Sequence, residues 1–500
     1  MHRKHLVLLS TLMAFAPAAC TVGPDFKRPD PPPTLAYSQS LPAAAASQLQ
    51  YGGDVARDWY QLFHSEALNA LVQDALRGNP DLEAARHGLA AAQAELVAVS
   101  GSALPQMDVS GQVARARVNG SFLYGPVNEI SVTGNRFELG PALAYNLDLF
   151  GGVHRSIEAQ RAATASVRDQ VLNTYITLVD QVVITAFDHA ATLAQIDVTR
   201  ELVTELRAQF ELTQYLEQAG KSTRADTLQA QTQLENVVAT LPALEQQADI
   251  YRNALAQLSG KAPDAFATPQ LSLRDFTLPG ELPVSLPSVL VRHRPDVLAA
   301  EDNLHQASAR IGIAAAARLP SITLSAQYAQ QTTSVADFLS QAGGIWGAGA
   351  SMAAPLFHGG TLAAREKAAR EQYLQAQASY RSTVIAAFTE VANALRSLEH
   401  DTEGYAAHSQ ALDAARASRE LAVAQFRAGR YTELQVLTAE QQYQDAALSQ
   451  VQADVQRFTD MANLFRALGG GWWNAPRDPA LLPVADARPT NDRTRPEAAR

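Results

Sequence analysis

The one cysteine in the chain, Cys20, has the sequence context of a lipid-modification site. It follows a basic start, an apolar stretch and a short run of small residues, which is the anatomy of a signal peptide. We therefore predict a signal peptide over residues 1–19 and a covalent lipid on Cys20, with a stray cysteine at the end of the leader as the alternative. Thr21 stands where an aspartate commonly retains a lipoprotein in the inner membrane, so attachment to outer-membrane lipid is favoured.

Residues that could catalyse a reaction or hold a metal do not form a motif in this sequence. A single cysteine excludes an intrachain disulfide and a cysteine-built metal site. The histidines are scattered, and His400 and His408 are too far apart in sequence to be neighbours on one turn of a helix. Gly344, Gly347 and Gly349 have the wrong spacing for a dinucleotide fingerprint. We predict that the chain is not an enzyme, and that it has no metal and no cofactor other than the lipid.

Charge and hydrophobicity narrow the class of protein further. The formal net charge is −10, which disfavours nucleic acid as a partner. Hydrophobic residues make up 47% of the 500 residues, enough for a sizeable core and too many for disorder throughout. The sequence after Cys20 has no run of 18 or more consecutive apolar residues, so we predict no membrane-spanning helix in the mature chain.

Two halves of the chain repeat one plan, which indicates a duplicated domain. Pro80 recurs as Pro295 and Pro105 recurs as Pro320, each 215 residues later. Proline, alanine and serine dominate the segment before the first repeat, so this segment is expected to be an extended tether rather than a packed element. The predicted organisation is a lipid-anchored tether over 20–57, a first repeat over 58–282, a second repeat over 283–468 and a C-terminal tail over 469–500.

Each repeat contains a long helical hairpin, predicted over 151–260 and 359–468. From Gly151 to Ala219 the chain has no proline, so one helix on the order of 100 Å long is expected. Apolar residues at steps of three and four give a coiled-coil seam. An ordinary helix bundle explains the spacing but not the length. Pro242 is expected to kink or divide the first returning helix.

Each repeat also contains a pair of strands, marked by partial alternation of apolar and polar residues. The four strands are predicted at about 104–118, 135–148, 319–330 and 344–356. Four strands cannot close a membrane barrel, because the smallest barrels have about eight. Unpaired strand edges in lipid cost several kcal/mol per group, so strands in a membrane require other copies of the chain. Two copies would give eight strands and three would give twelve.

Several short motifs occur in order along the chain. They are Cys20-Thr-Val-Gly-Pro-Asp-Phe-Lys-Arg-Pro29, Trp59-Tyr-Gln-Leu-Phe63, Leu68-Asn69-Ala-Leu71, Asn79-Pro80-Asp-Leu82, Leu147-Asp-Leu-Phe-Gly151 and Pro355-Leu-Phe-His-Gly-Gly360. Each motif alone is weakly specific for a family. Together, in this order and with the duplication, the motifs are strong evidence for one. On these residues the chain resembles the TolC-like outer-membrane efflux proteins, in their lipoprotein branch, over residues 20–470.

The resemblance implies a mainly α fold with a β-barrel part. It implies a homotrimer with a 12-stranded membrane β-barrel, continuous with a periplasmic α-helical barrel. It further implies a passive channel in a tripartite efflux or secretion system, served by an inner-membrane pump and a periplasmic adaptor. The sequence does not identify the cargo. A periplasmic coiled-coil lipoprotein adaptor or scaffold is the alternative, although it explains neither the four strands nor the duplication. An exported enzyme would need a polar cluster that the sequence lacks.

The resemblance places the adaptor contacts at the two helical hairpin turns. The corresponding residues are Gly220, Lys221, Ser222, Thr223, Asp226, Gly429, Arg430, Tyr431, Thr432 and Glu433. The alternative is that they only terminate helices and build solvated turns. Relatives commonly have an acidic residue close after the second glycine, where this chain has Arg430 and Tyr431. Our hypothesis is that Arg430 pairs with an acidic group such as Glu433 to close the channel, within one copy or across copies.

Overall fold

The computed structural model describes residues 21–30, 49–51, 53, 55–119, 131–280, 282–284, 287–338 and 343–474. Cys20 lies outside the described residues, as does most of the predicted tether and tail. The helices are α1 Glu66–Gly78, α2 Pro80–Gly101, α3 Gly152–Gln218, α4 Arg224–Val238, α5 Leu241–Leu258, α6 Pro287–His293, α7 Pro295–Ala316, α8 Thr361–Arg427 and α9 Glu433–Ala467. The strands are β1 Leu49–Tyr51, β2 Gln106–Asn119, β3 Ser131–Leu147, β4 Leu282–Val284, β5 Ser321–Thr332 and β6 Gly344–Ala353.

The four longer strands form one antiparallel sheet in the order β2-β3-β5-β6. Each of these strands lies where the alternation predicts one, with small differences at the ends. Met107, Val109 and Val113 share one face of β2 and are 71%, 71% and 75% exposed. The part of this face before Arg115 is apolar yet uncovered in a single chain. The two short strands β1 and β4 pair in parallel and form a separate sheet.

The two longest helices, α3 and α8, each have 67 residues. At a rise of about 1.5 Å per residue, each is on the order of 100 Å long. The prediction of one uninterrupted helix after each glycine pair is therefore confirmed. The returning chain differs between the repeats, because α9 is continuous whereas the first repeat is divided into α4 and α5. Pro242 lies in the first turn of α5, as expected for a residue that lacks a backbone donor.

The chain forms two compact units, and each unit takes equivalent segments from both repeats. The first unit consists of Met1–Pro29, Ala90–Val167 and Ala300–Arg381, and it contains the four-stranded sheet. The second consists of Asp30–Leu89, Arg168–Ala299 and Ser382–Arg500. The repeats of the sequence are thus not the compact units of the structure.

Aromatic side chains form the centre of the second unit. Phe187 of α3 lies 4.9 Å from Phe63 and 4.9 Å from Phe276, measured between ring centroids, with both pairs edge to face. Trp59 stacks on Phe465 of α9 at 5.2 Å. Trp59 and Phe63 are at most 1% exposed, so the Trp59-to-Phe63 motif of the sequence is part of the core. The beginning of the predicted tail is fixed to this unit, since the Trp472 indole donates to the His293 carbonyl at 2.7 Å.

One described helix, α3, is long and apolar enough to cross a membrane if only length and composition are considered. Its most apolar window is 67% buried inside the protein. A core helix satisfies the same test, so this finding is weak support for a membrane span. The absence of a spanning helix from the mature chain stays a prediction.

Candidate functional site

Residues 21–29, at the start of the described chain, pack along the first unit, although the sequence predicts an extended tether rather than a packed element. The Val22 amide donates to the Phe150 carbonyl at 3.1 Å, next to the start of α3. Phe26 stacks on His305 of α7 at 4.3 Å. Arg28 pairs with the buried carboxylate of Glu301 at 2.7 Å. The residues that follow the predicted lipidation site are therefore held where β3 passes into α3.

Arg155 of α3 is the centre of this attachment. Its side chain is buried, and it pairs with Asp25 and Glu158 at 2.7 Å each. It also donates to the Val22 carbonyl at 3.2 Å. Burial alone would raise the pKa of Glu158, but hydrogen bonds from Arg155 and His305 outweigh burial and lower it. Sequence reasoning missed Arg155, because its partner Asp25 is remote in the chain and no local pattern joins the two.

The first hairpin turn, between α3 and α4, is built by residues that we predict to contact an adaptor. Gly220 has φ of +67°, which a glycine adopts readily. Thr223 and Asp226 form a reciprocal capping box at the start of α4, and the Ser222 hydroxyl also donates to Asp226. The hydrogen bond from the Thr223 side chain is the main reason that the pKa of Asp226 is lowered. These three polar residues therefore have a structural role, and Lys221 is left as an exposed cation at the turn.

The second turn, between α8 and α9, differs in how its acidic residue is used. Gly429 again has a positive φ, of +72°, and Thr432 with Gln435 caps α9. Arg430 and Tyr431 are exposed. Glu433 is instead 9% exposed and accepts a hydrogen bond from Thr213 of α3. Burial raises the pKa of Glu433, although bonds from Thr213 and Gln209 oppose that shift.

The hypothesis that Arg430 pairs with Glu433 is wrong within one chain. As the first residue of α9, Glu433 faces α3 and is already bonded there. The Arg430 side chain is exposed, whereas the Glu433 carboxylate is bonded to Thr213. Burial of Glu433 also removes it from the surface that an adaptor could reach. Of the predicted turn residues, Lys221, Arg430 and Tyr431 present side chains outward, whereas Thr223, Asp226, Thr432 and Glu433 hold the turns together.

No group of three or more His, Cys, Asp or Glu side chains that could hold a metal ion occurs in the described part of the chain. The chemistry available at the turns is therefore that of charge and hydrogen bonding. In the first unit, the sheet exposes the apolar side chains of Met107, Val109 and Val113. The described chain therefore combines two long helical hairpins with one four-stranded sheet.

Comparison with known proteins identifies the family. Residues 71–261 and 286–470 match the outer membrane efflux protein family, so the chain belongs to that family. The two matched segments correspond to the two repeats. The antibiotic efflux pump outer membrane protein ArpC of Pseudomonas putida is 29% identical over 471 residues, which is 94% of this chain and 96% of ArpC. The cation efflux system protein CusC of Escherichia coli is 26% identical over 470 residues, 93% of this chain and 98% of CusC.

A solved structure agrees with the family assignment. The outer-membrane channel OprN superposes with a TM-score of 0.83 at 28% sequence identity, covering 91% of this chain and all of OprN. The predicted fold class, a mainly α protein with a strand region in the manner of TolC-like channels, is thereby confirmed. The chain is an outer-membrane efflux channel, and it is located in the outer membrane with a periplasmic helical portion.

Proposed function

We infer that the mature chain is a lipid-anchored homotrimer that conducts cargo passively from an inner-membrane pump and a periplasmic adaptor. The observation that carries this proposal is the four-stranded sheet, whose edge strands β2 and β6 each pair on one side only among the described residues. Unpaired backbone groups in lipid cost several kcal/mol each, so these edges require neighbours. Three copies would supply twelve strands, a number within the range of known membrane barrels.

The duplication supports a specific way for the copies to meet. Within one chain, the start of α3 packs on α7, where the side chain of Arg155 crosses Gly312. A Cβ at Gly312 would lie 2.7 Å from the Arg155 Cγ. In the other repeat, the equivalent helices are α8 and α2, each of the same length as its counterpart. If copies are arranged in a ring, α8 of one copy should meet α2 of the next in the same manner.

The side chains at the equivalent positions are complementary for such a contact. The position that matches Gly312 is Val97, which is 73% exposed in one chain. The position that matches Arg155 is Ala363 when the glycine pairs are aligned, or Ala364 when the helix starts are aligned. Within one chain the large side chain of Arg155 packs over Gly312. At the equivalent contact between copies, a small alanine would face the larger Val97. This exchange keeps the contact filled, as close packing requires.

Cross-linking tests the trimer directly. In the mature chain, Cys20 is the only cysteine, and we expect it to be acylated. Val97→Cys combined with Ala363→Cys, and separately with Ala364→Cys, should give a disulfide-linked trimer in at least one pair. Val97→Cys alone is the matched control and should stay unlinked. Oxidation that yields only monomers or dimers in both pairs contradicts the proposed arrangement. A native mass spectrum of detergent-extracted protein measures the copy number and the lipid mass on Cys20 independently.

The exposed residues Lys221, Arg430 and Tyr431 are our proposed adaptor contacts. Lys221→Glu and Arg430→Glu together should reduce export in cells that contain the pump and adaptor. The trimer itself should be unaffected, because neither side chain is buried. Arg207→Glu, a single charge reversal at an exposed site on α3, is the control. Export that is unchanged by the double variant, or reduced equally by the control, would exclude these residues as contacts.

We prefer the channel to a coiled-coil lipoprotein adaptor or scaffold, because the adaptor function does not explain why the chain has a four-stranded sheet. The identity of the cargo is not determined, since relatives of similar identity are named for antibiotic and for cation efflux. Selection of cargo therefore belongs to the partner pump in our proposal. No catalytic turnover is expected of the chain, and export should stop when the pump is inactivated.

A further inference from the structure

Arg419 of α8 joins helices from both repeats. Its guanidinium lies 2.7 Å from Glu205 of α3 and 3.5 Å from Glu440 of α9. The same group stacks over the Tyr443 ring at 4.5 Å. Three helices of the second unit are thus connected through one cation. The sequence gives no sign of this cluster, because its members come from three distant segments.

The cluster contains more negative charge than positive charge. Two carboxylates share one guanidinium, and Glu440 is 7% exposed. One oxygen of each carboxylate, Oε2 of Glu205 and Oε2 of Glu440, is buried and has no hydrogen-bond partner among the described residues. A buried unpaired carboxylate oxygen is costly, so the arrangement as it stands lacks a ligand.

The missing ligand is a proton rather than a metal ion. Arg419 already occupies the space between the carboxylates, and its charge would repel a second cation. The charged groups that act on Glu440 are Arg419 from α8 and Glu205 from α3. Helix α4, which packs on the same part of α9, contributes the apolar residues Leu234 and Val237. Burial, the largest influence, raises the pKa of Glu440 to about 7; Arg419 lowers it and Glu205 raises it.

We propose that Glu205, Arg419 and Glu440 form a proton-binding site that controls how tightly α3 holds the hairpin of α8 and α9. When the site binds one proton, the two carboxylates and the guanidinium carry no net charge, and the buried contact is complete. When the proton leaves, one negative charge is left in excess inside the contact. The second hairpin then separates more easily from the first. This site lies apart from the turn residues that we propose as adaptor contacts.

The direction of the pH effect follows from linkage. If α9 moves away from α3, Glu440 becomes exposed and its pKa returns toward the usual value of 4.5. The closed contact therefore binds the proton more tightly than the separated one. Its extra stability is complete below about pH 4.5 and is lost as the pH rises through about 7. Between these limits the population of the separated state should rise about tenfold per pH unit.

Hydrogen–deuterium exchange of the full-length protein in detergent tests this proposal. The measured quantity is the protection of the segment around Glu440, with variant and wild type compared at each pH from about 5 to about 8. In the wild type, protection should fall by up to about tenfold per pH unit as the pH rises and should level off near pH 7. Glu440→Gln, which mimics the protonated side chain, should remove this transition. Asp445→Asn makes the same charge change at an exposed site on α9 and should behave as the wild type.

A second variant separates proton binding from a purely structural role. Glu205→Gln removes the competing carboxylate, so protection should level off at a lower pH while the transition persists. Asp401, whose pKa is raised to about 7 by burial and by Asp460, also titrates in this range, so the wild-type transition alone is not sufficient. If Glu440→Gln retains the wild-type transition, or if Glu205→Gln leaves unchanged the pH at which protection levels off, the proposal is overturned. These measurements concern contacts within one chain, so they do not depend on the trimer or on export.

Discussion

The two places where a strand passes into a long helix have the same plan in both repeats, yet only one is covered within a single chain. In the first repeat, Val22 bonds to Phe150 and Arg155 is buried under the N-terminal segment. In the second repeat, Leu356 and Phe357 are 95% and 88% exposed. Although the fold is duplicated, the chain therefore covers the strand-to-helix junction of one repeat and leaves that of the other exposed. The uncovered copy of the junction is the part that we expect another subunit to complete.

The largest expected effect concerns the sheet, where the repeats differ in the space around a glycine. A Cβ at Gly140 of β3 would lie 1.9 Å from the Tyr328 carbonyl oxygen of β5. At Gly347 of β6, it would meet the Gln327 side chain at an ordinary 3.8 Å. We expect Gly140→Ala to abolish the heat-modifiable assembled form in gel migration, because the backbone of β5 would have to move. Gly347→Ala should retain that form. If both variants lose or both retain the heat-modifiable form, the space around Gly140 does not differ from that around Gly347 in the way that the structure shows.

The next effect tests the covered junction itself. Arg155→Ala should destabilise the protein by about 3 kcal/mol, near the lower end for breaking a buried ion pair, since Glu158 keeps His305 as a partner. The N-terminal segment should also become accessible to limited proteolysis. Arg161→Ala, at an exposed position on the same helix, is the control. Thermal unfolding followed by circular dichroism, with proteolysis at residues 21–30, measures both consequences. If Arg155→Ala leaves the segment protected, contacts other than Arg155 hold it.

Much of the fold follows from local sequence patterns. Steps of three and four apolar residues with no proline predict α3 and α8, and alternation predicts the four strands of the sheet. Pro242 predicts the division of the first returning helix, because it lacks a backbone donor. These features depend on neighbours in the sequence, so the sequence displays them.

The candidate sites were predicted less well, because they depend on residues far apart in the chain. The N-terminal segment is rich in proline, and nothing near it indicates that Arg155 will bury it. Glu433 follows a polar turn and was expected at the surface, but Thr213 of a different repeat holds it inside. The cluster of Glu205, Arg419 and Glu440 was missed for the same reason. Contacts between helices of different repeats need the register of the helices, which apolar spacing alone does not set.

A smaller and equal effect is expected at the two hairpin turns, where the repeats agree. Gly220 and Gly429 both have a positive φ and open space around them. Replacement of either by alanine should cost about 1 kcal/mol, the penalty for a side chain in the left-handed region. Gly404→Ala lies inside α8 with nothing nearby, so it should stabilise by up to about 1 kcal/mol instead. Melting temperatures of the three variants give these signs. A clear difference between Gly220→Ala and Gly429→Ala would show that the turns are not equivalent.

The smallest expected effect separates the turns again, through the third residue of the helix that follows each one. This residue is Asp226 in the first repeat and Gln435 in the second, and both accept bonds from the capping threonine. The pKa of Asp226 is lowered chiefly by the Thr223 hydroxyl, so its cap is present above the ordinary value of 3.8 and is lost as the pH falls below it. The Gln435 cap has no titratable group. Acid should therefore speed hydrogen exchange at the first turn relative to the second.

Exchanging the two residues provides the matched controls. Asp226→Asn should make the first turn insensitive to acid, whereas Gln435→Asp should make the second turn sensitive. Hydrogen exchange of residues 221–227 and 430–436, compared between variants at the same pH, measures each change. If acid affects both turns of the wild type equally, the capping carboxylate is not what distinguishes them. The difference between the repeats would then lie in Glu433, whose burial against α3 has no counterpart in the exposed Arg224 that begins α4.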